Sequence, residues 1–166
     1  KNTTRVQKAY SDYLKQSTQK LPLLIADLKG DVIDQILEEE NIREIKSYIH
    51  APGYIANTDL AALYCGAFAF LYPSLRESFG IPMLEAMACG TPIIAGNTSA
   101  MPEIAGEGAL LADPFNSNDI TEKILQLEND QTLYQQQVEY GIQRSQLFSW
   151  RNTAESLLKI YKEFAK

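Results

Sequence analysis

Glu77-Ser78-Phe79-Gly80-Ile81-Pro82-Met83-Leu84-Glu85, continued by Ala86-Met87-Ala88-Cys89-Gly90-Thr91-Pro92, lies between two apolar runs, Phe68-Ala69-Phe70-Leu71-Tyr72 and Ile93-Ile94-Ala95. Gly80 permits a backbone that other residues avoid. Pro82 suits the first helical position, where its missing N–H costs nothing. Met83, Leu84, Met87 and Ala88 recur at helical spacing. Gly90 reads as a left-handed cap, and Pro92 forbids continuation of the helix. The stretch is therefore a loop, a short helix and a stop between two strands. The first strand, apolar throughout, suits a sheet covered on both faces.

A loop-to-helix junction of this kind leaves backbone N–H groups free and carries the positive end of the helix dipole. That makes it a natural seat for a phosphate. Glu77 lies on the loop and Glu85 in the first turn or just after it, so both acids face the same open end. Carboxylates are odd neighbours for a phosphate alone, but they accept hydrogen bonds from hydroxyl groups well. Phosphates with hydroxyls describe a nucleotide sugar. Spacing alone leaves an equal alternative, in which both acids are solvated charges that favour a helix N-terminus.

Outward from this stretch, strands and helices alternate. A helix over 3–17 carries Val6, Ala9, Tyr10, Tyr13 and Leu14 on one face. Leu21-Pro22-Leu23-Leu24-Ile25-Ala26 reads as a buried strand, residues 31–40 as a helix and Ser47-Tyr48-Ile49-His50 as a strand. Asn57 or Thr58 is placed to cap a helix through Leu60, Leu63 and Tyr64. After strand 92–95 come a short helix near 101–105, the strand Ala109-Leu110-Leu111-Ala112, and helices at 118–129, 131–147 and 150–165. This alternation implies an α/β Rossmann-like parallel sheet with right-handed crossovers and helices on both faces. Ligands of such sheets bind beyond the carboxyl ends of the strands. The loops after Ala26, His50, Tyr72, Ala95 and Ala112 open there, and the Tyr72 loop carries Glu77 and Gly80.

The 166 residues suit one domain with a real core. With 45% apolar and 22% charged residues the composition is ordinary. No apolar run approaches the ~20 residues of a membrane span, and no signal peptide is evident. A net charge of −6 argues against nucleic acid or an anionic membrane as the main partner. Cys65 and Cys89, both in apolar helical contexts, read as reduced core residues of a reducing compartment. One histidine and two separated cysteines do not make a zinc site, so no metal ligand is assigned.

Tyr72-Pro73-Ser74, Glu77 through Pro92, and Ser99-Ala100-Met101-Pro102-Glu103-Ile104-Ala105-Gly106 together resemble the C-terminal, donor-binding half of glycosyltransferase family 4, retaining enzymes of the GT-B architecture. Glu77 and Glu85 match that family's Glu-x7-Glu motif. The similarity runs from Lys1-Asn2 to Phe148-Ser149-Trp150 and makes residues 1–166 one nucleotide-sugar-binding domain, the helices from 118 onward included. The resemblance implies that Glu77 contacts the donor sugar as the catalytic-site acid and that Glu85 holds the ribose hydroxyls. It implies that Phe79, Gly80 and Ile81 supply amides to sugar and diphosphate. Ser78 stands where the family often has glycine, with less backbone freedom. Lys1 matches a lysine that neutralises the diphosphate, and the Gly53-Tyr54-Ile55 loop lies near the base.

The resemblance also implies a central strand, a Gly-rich turn and an arginine ahead of Lys1-Asn2, none of which is in this sequence. It implies, too, an N-terminal acceptor domain that holds the catalytic histidine. The expected partners are a nucleotide-sugar donor, GDP-mannose favoured over a UDP-sugar, the protein's own N-terminal domain, and a glycan or lipid-linked acceptor. No cofactor is expected. The expected location is cytoplasmic, or peripheral to the membrane through the N-terminal domain. A non-catalytic nucleotide-sugar-binding or interaction module of the same fold is the alternative. Glycoside hydrolysis, which needs one carboxyl kept protonated, fits poorly beside a helix N-terminus that favours ionised acids.

The remaining candidates read as structural. His50 is a satisfied structural histidine. Glu103 belongs to the Pro-Glu pair and caps a helix. Trp150, after the N-cap Ser149, packs. Tyr10, Tyr13, Tyr134, Tyr140 and Tyr161 are core or rim.

Overall fold

The computed structural model describes residues 2–165. Its strands are β1 (Leu23–Ala26), β2 (Ile49–Gly53), β3 (Phe70–Tyr72), β4 (Ile93–Gly96) and β5 (Leu110–Ala112). Its helices are α1 (Thr3–Gln16), α2 (Gly30–Glu39), α3 (Asn57–Gly66), α4 (Ile81–Ala88), α5 (Met101–Ala105), α6 (Ser117–Asn129), α7 (Gln131–Ser145) and α8 (Trp150–Phe164). All strand pairings are parallel, as the alternation requires, and the fold is α/β Rossmann-like with helices on both faces. The sheet is divided: β1 pairs with β2, β3 with β4 and β4 with β5. Among the described residues the other edges of β1 and β3 have no strand partner.

β4 sets the core. It has a strand on each side and all four of its residues are buried. Alternation along the strand sends Ile94 into one apolar cluster with Ala9, Tyr10, Tyr13, Ile33, Leu37 and Ile120. Ile93 and Ala95 enter a second cluster on the opposite face, with Met83, Met87, Met101 and Ile104. Each fully buried large side chain contributes roughly 1.5–3 kcal/mol, so both ends of the motif stretch are fastened to a stiff centre. α4 is held by Met83, Ala86 and Met87, all fully buried.

α1 ties the two sheets together and shows that they run the same way. At its start the Asn2 carboxamide donates to the carbonyls of Pro73 (2.9 Å) and Pro114 (2.6 Å), just beyond the ends of β3 and β5. Two turns later the Tyr10 hydroxyl donates to the carbonyl of Leu21 (2.8 Å), just before β1, and reaches that of Tyr48 (3.4 Å), just before β2. One helix thus runs from the carboxyl ends of one sheet to the amino ends of the other, so all carboxyl ends lie on one edge of the domain.

The turn after α1 is closed by Glu128 of α6, which accepts from the Ser17 hydroxyl (2.8 Å) and the Thr18 amide (3.2 Å). Burial alone would raise this carboxyl. The hydroxyls of Tyr13 and Ser17 and the amides of Gln19 and Thr18 outweigh it and hold the carboxyl below the ordinary glutamate value. A depressed folded-state pKa gives stability that is present above the unfolded value and lost as pH falls through the folded one. Denaturant midpoints are therefore expected to fall as the medium is acidified below about pH 4.3. Glu128→Gln, less stable at neutral pH, is expected to show a smaller fall over the same range.

Several sequence expectations need correction. Residues 47 and 48 are not strand: Arg43–Tyr48 forms a 3-10 turn and β2 begins at Ile49. β2 runs on through Pro52, which an outer strand tolerates because one edge needs no donor. β3 begins at Phe70, since the Phe68 carbonyl is taken by the Tyr134 hydroxyl of α7 at 3.2 Å and the two rings pack at 5.1 Å. β3 is only half-buried, because one of its edges is unpaired. The N-cap of α3 is Ala56 rather than Asn57 or Thr58, and the Thr58 hydroxyl turns instead to the Asp59 carboxylate. Cys65 is exposed, because α3 lies on the surface and buries no residue fully, and Cys89, at the end of α4, is half-buried. Trp150 is 81% exposed: no other described element packs closely on α8. Tyr140 and Tyr161 are exposed as well, while Tyr10 and Tyr13 are core.

Candidate donor site

α4 starts from Gly80, whose φ of 95° and ψ of 45° lie in the left-handed region that glycine enters freely. Gly80 has no side chain to cap the helix. Pro82 falls within the first turn. Among the described residues the backbone amides of Ser78, Phe79, Gly80 and Ile81 donate to no protein acceptor. Consecutive unspent donors at a helix N-terminus form an anion seat. Ser78 keeps a negative φ, so serine is not strained where a glycine was the alternative. Gly90 has φ of 74° and closes the same helix as the sequence requires.

Glu77 precedes these amides and is half-buried. Its backbone is clamped from the loop after β4. The Ser99 hydroxyl donates to the Glu77 carbonyl at 2.7 Å, and the Glu77 amide lies 3.3 Å from the same oxygen. Thr98 adds a bond from its hydroxyl to the Leu75 carbonyl at 3.3 Å. Ser99 itself sits at φ of 59°, a strained conformation for serine that its two bonds to Glu77 hold in place. Ser99→Ala is expected to weaken ligand binding at this loop by roughly five- to tenfold, the worth of about one net hydrogen bond, read by calorimetry with a sugar nucleotide as probe, with little change in thermal midpoint.

Beneath the clamp, Gly96 makes a close approach. A β-carbon there would lie 2.8 Å from the Ser74 carbonyl oxygen and 3.0 Å from the Met101 methyl. Glu85 lies one turn into α4 with its carboxylate exposed. The Tyr64 hydroxyl, from α3, approaches its Oε2 at 3.5 Å. Phe79 is 42% exposed and its ring meets Phe148 edge-on at 5.8 Å, which fastens the loop to the connection between α7 and α8.

The structure thus brings Glu77, Ser78, Phe79, Gly80, Ile81 and Glu85 onto one loop-and-helix unit. Gly53 (φ 80°) and the 78% exposed Tyr54 end β2 at the same edge of the domain but on the other sheet. Lys1 lies outside the described residues. Glu103 is in the first turn of α5 with its side chain exposed, and its carbonyl accepts from Arg144. His50 is exposed on β2 and, among the described residues, makes no side-chain hydrogen bond, so it is not the satisfied histidine expected. In the sequence Ser99 lies on the loop after Ala95, which opens on the ligand side, and nothing there assigns a role to it, to Gly96 or to the hydroxyls of Tyr64 and Tyr72. A glycine ending a wholly apolar strand was the one available signal of the Gly96 contact.

The family model described as glycosyl transferases group 1 matches residues 1–144. The chain is 34% identical over 165 residues to O-antigen chain mannosyltransferase B of Escherichia coli, covering 98% of this chain and 42% of that protein. It is 36% identical over 107 residues to D-inositol 3-phosphate glycosyltransferase of Corynebacterium jeikeium, covering 63% of this chain and 26% of that one. Among solved structures, the C-terminal domain of LpcC from Francisella tularensis, a glycosyl transferase group 1 family protein, superposes with TM-score 0.76 at 25% identity, over 89% of this chain and 78% of that one. Anabaena HepE, solved in complex with UDP and glucose, superposes with TM-score 0.79 at 20% identity, over 94% of this chain and 44% of that one. The chain spans less than half the length of both curated relatives.

Proposed function

This chain belongs to the glycosyl transferases group 1 family, and from that premise we propose that it is the donor-binding half of a retaining GT-B enzyme of glycosyltransferase family 4. The enzyme transfers a hexosyl group, mannose or a glucose-like sugar, from a nucleoside diphosphate to a glycan or lipid-linked acceptor. The observation that carries this reading is the run of unspent amides from Ser78 to Ile81 set between two carboxylates. The amides and the positive end of α4 take the negative charge that grows on the departing diphosphate as the bond from the anomeric carbon breaks. Lys1 is assigned to the same charge. Glu77 accepts from hydroxyls of the sugar and orients it. Glu85 accepts from the ribose, and Gly53 and Tyr54 face the base. Because these groups hold the diphosphate, we assign the domain no metal and no cofactor.

The mannosyltransferase relative supports mannose, and GDP-mannose is the donor we favour. The acceptor and the catalytic histidine belong to an N-terminal domain outside this sequence, and a strand ahead of Lys1 would pair with the open edges of β1 and β3. No helix among the described residues is long and apolar enough to cross a membrane. We place the enzyme in the cytoplasm, or peripheral to the membrane through its N-terminal domain. Titration of GDP, UDP and ADP into the full-length protein tests the reading. GDP is expected to bind tightest, and binding of none of the three would overturn it. The domain alone is expected to give no transfer to acceptor.

A further inference from the structure

Three aromatic rings run behind the two acids. Tyr64 of α3 meets Phe70 of β3 edge-on, with ring centroids 5.2 Å apart and planes at 74°. Phe70 stacks on Tyr72, two residues along the same strand, at 5.5 Å and 29°. The row is fixed from below. The Thr91 hydroxyl donates to the Tyr64 carbonyl at 2.5 Å, and the Phe70 amide donates to the Pro92 carbonyl at 2.9 Å. All three rings pack on the buried Met83–Met87 cluster under α4. The ends of the row meet the site. Tyr64 reaches Glu85 Oε2 at 3.5 Å. The Tyr72 ring passes within 3.7 Å of the place a β-carbon on Gly80 would take.

We propose that Tyr64, Phe70 and Tyr72 form one positioning unit, in which Tyr64 occupies one oxygen of Glu85 and leaves the other aimed at the ribose, so that its hydroxyl sets the preference for a ribonucleotide. This rests on the reading of Glu85 as the ribose contact. The arrangement has a physical logic. An exposed glutamate on a helix is free to rotate, and ordering such a side chain costs conformational entropy each time a ligand binds. A donor anchored by ring packing and by its own backbone removes part of that cost. The 3.5 Å separation is at the outer limit of a hydrogen bond, as is common for site bonds that tighten only around a ligand. Burial first, and then the Glu85 charge, push the Tyr64 phenol up to about 12, so it remains a donor throughout the neutral range. Burial and then the Glu77 carboxylate push the Tyr72 phenol above its ordinary value in the same way.

The test compares a nucleoside diphosphate with its 2′,3′-dideoxy form by calorimetry on the full-length protein. The ratio of the two affinities reports the ribose contact alone, and a loss of packing would lower both affinities together. Tyr64→Phe keeps the ring and removes the hydroxyl. It is expected to lower the ratio roughly three- to tenfold, the range of one ordinary net hydrogen bond, because Tyr64 acts on the ribose only through Glu85. In a Glu85→Ala background the same change is expected to do nothing further, because the partner is gone. If Glu85→Ala collapses the ratio and Tyr64→Phe leaves it at the wild-type value, the positioning role is overturned while the donor-site reading stands. If Glu85→Ala itself leaves the ratio unchanged, the ribose assignment fails and the positioning role with it.

Discussion

Glu77→Ala is expected to lower kcat/KM of the full-length transferase by roughly 10²-fold, while the affinity for the bare nucleoside diphosphate stays within about twofold. The magnitude follows from the interaction lost. A carboxylate that accepts from sugar hydroxyls contributes about 1.5–3 kcal/mol as a charged hydrogen bond, and misorientation of the reacting sugar adds to that. The selectivity follows from position. Glu77 precedes the anion seat, on the loop clamped by Ser99, whereas Glu85 stands beyond it on the helix. Removing Glu77 leaves the amides and Glu85 in place. Glu77→Gln, which keeps the shape and accepts more weakly, is expected to fall between the wild type and Glu77→Ala. Steady-state kinetics together with calorimetry of the bare nucleotide check both halves. Equal losses in the two measurements would make Glu77 a structural residue.

Gly96→Ala is expected to cost about as much without removing any group that touches the donor. The added methyl would meet the Ser74 carbonyl oxygen at 2.8 Å. That oxygen belongs to buried backbone, and neither side has room to yield: Gly96 ends the fully buried β4, and Ser74 is 3% exposed. Overpacking of this kind costs typically about 1–3 kcal/mol of stability. The larger consequence is geometric. The loop that must move away carries Leu75 and Glu77, which Thr98 and Ser99 grip from the same side as Gly96. A displacement near 1 Å at a reacting centre costs on the order of 10²-fold in rate. The variant is expected to fold, to melt a few degrees lower, and to lose most of its kcat/KM. Wild-type kinetics would show that the loop does not depend on this contact.

What was legible in the sequence was local. Gly80 and Gly90 mark both ends of α4 because each must adopt a backbone that other residues avoid, and both have a positive φ. Met83 and Met87 mark the buried face because a helix repeats every 3.6 residues, and both are fully buried. The acids and free amides follow from the same short stretch. What stayed hidden depends on contacts between distant segments. The Ser99 clamp joins residues 22 positions apart, and the Tyr64 approach to Glu85 spans 21. Neither has a periodic signature, and Tyr64 and Tyr72 read as ordinary apolar positions until their hydroxyls are placed. The boundary of β2 was missed because Ser47 and Tyr48 suit a strand by composition but close a 3-10 turn in fact. Trp150 was misjudged for a related reason. Its helix has an apolar face, but periodicity says only that a face exists, and no other described element packs closely on it.

The central claim is that Glu85 and the α4 amides hold different parts of one ligand, the nucleoside and the diphosphate. Calorimetry of wild type and Glu85→Ala with a nucleoside diphosphate and with inorganic pyrophosphate tests it most directly. The account predicts a loss of roughly 10- to 100-fold for the nucleoside diphosphate, the worth of a charged hydrogen bond to the ribose, and a change within about twofold for pyrophosphate. Equal losses for the two ligands would contradict it and remove Glu85 from the ribose.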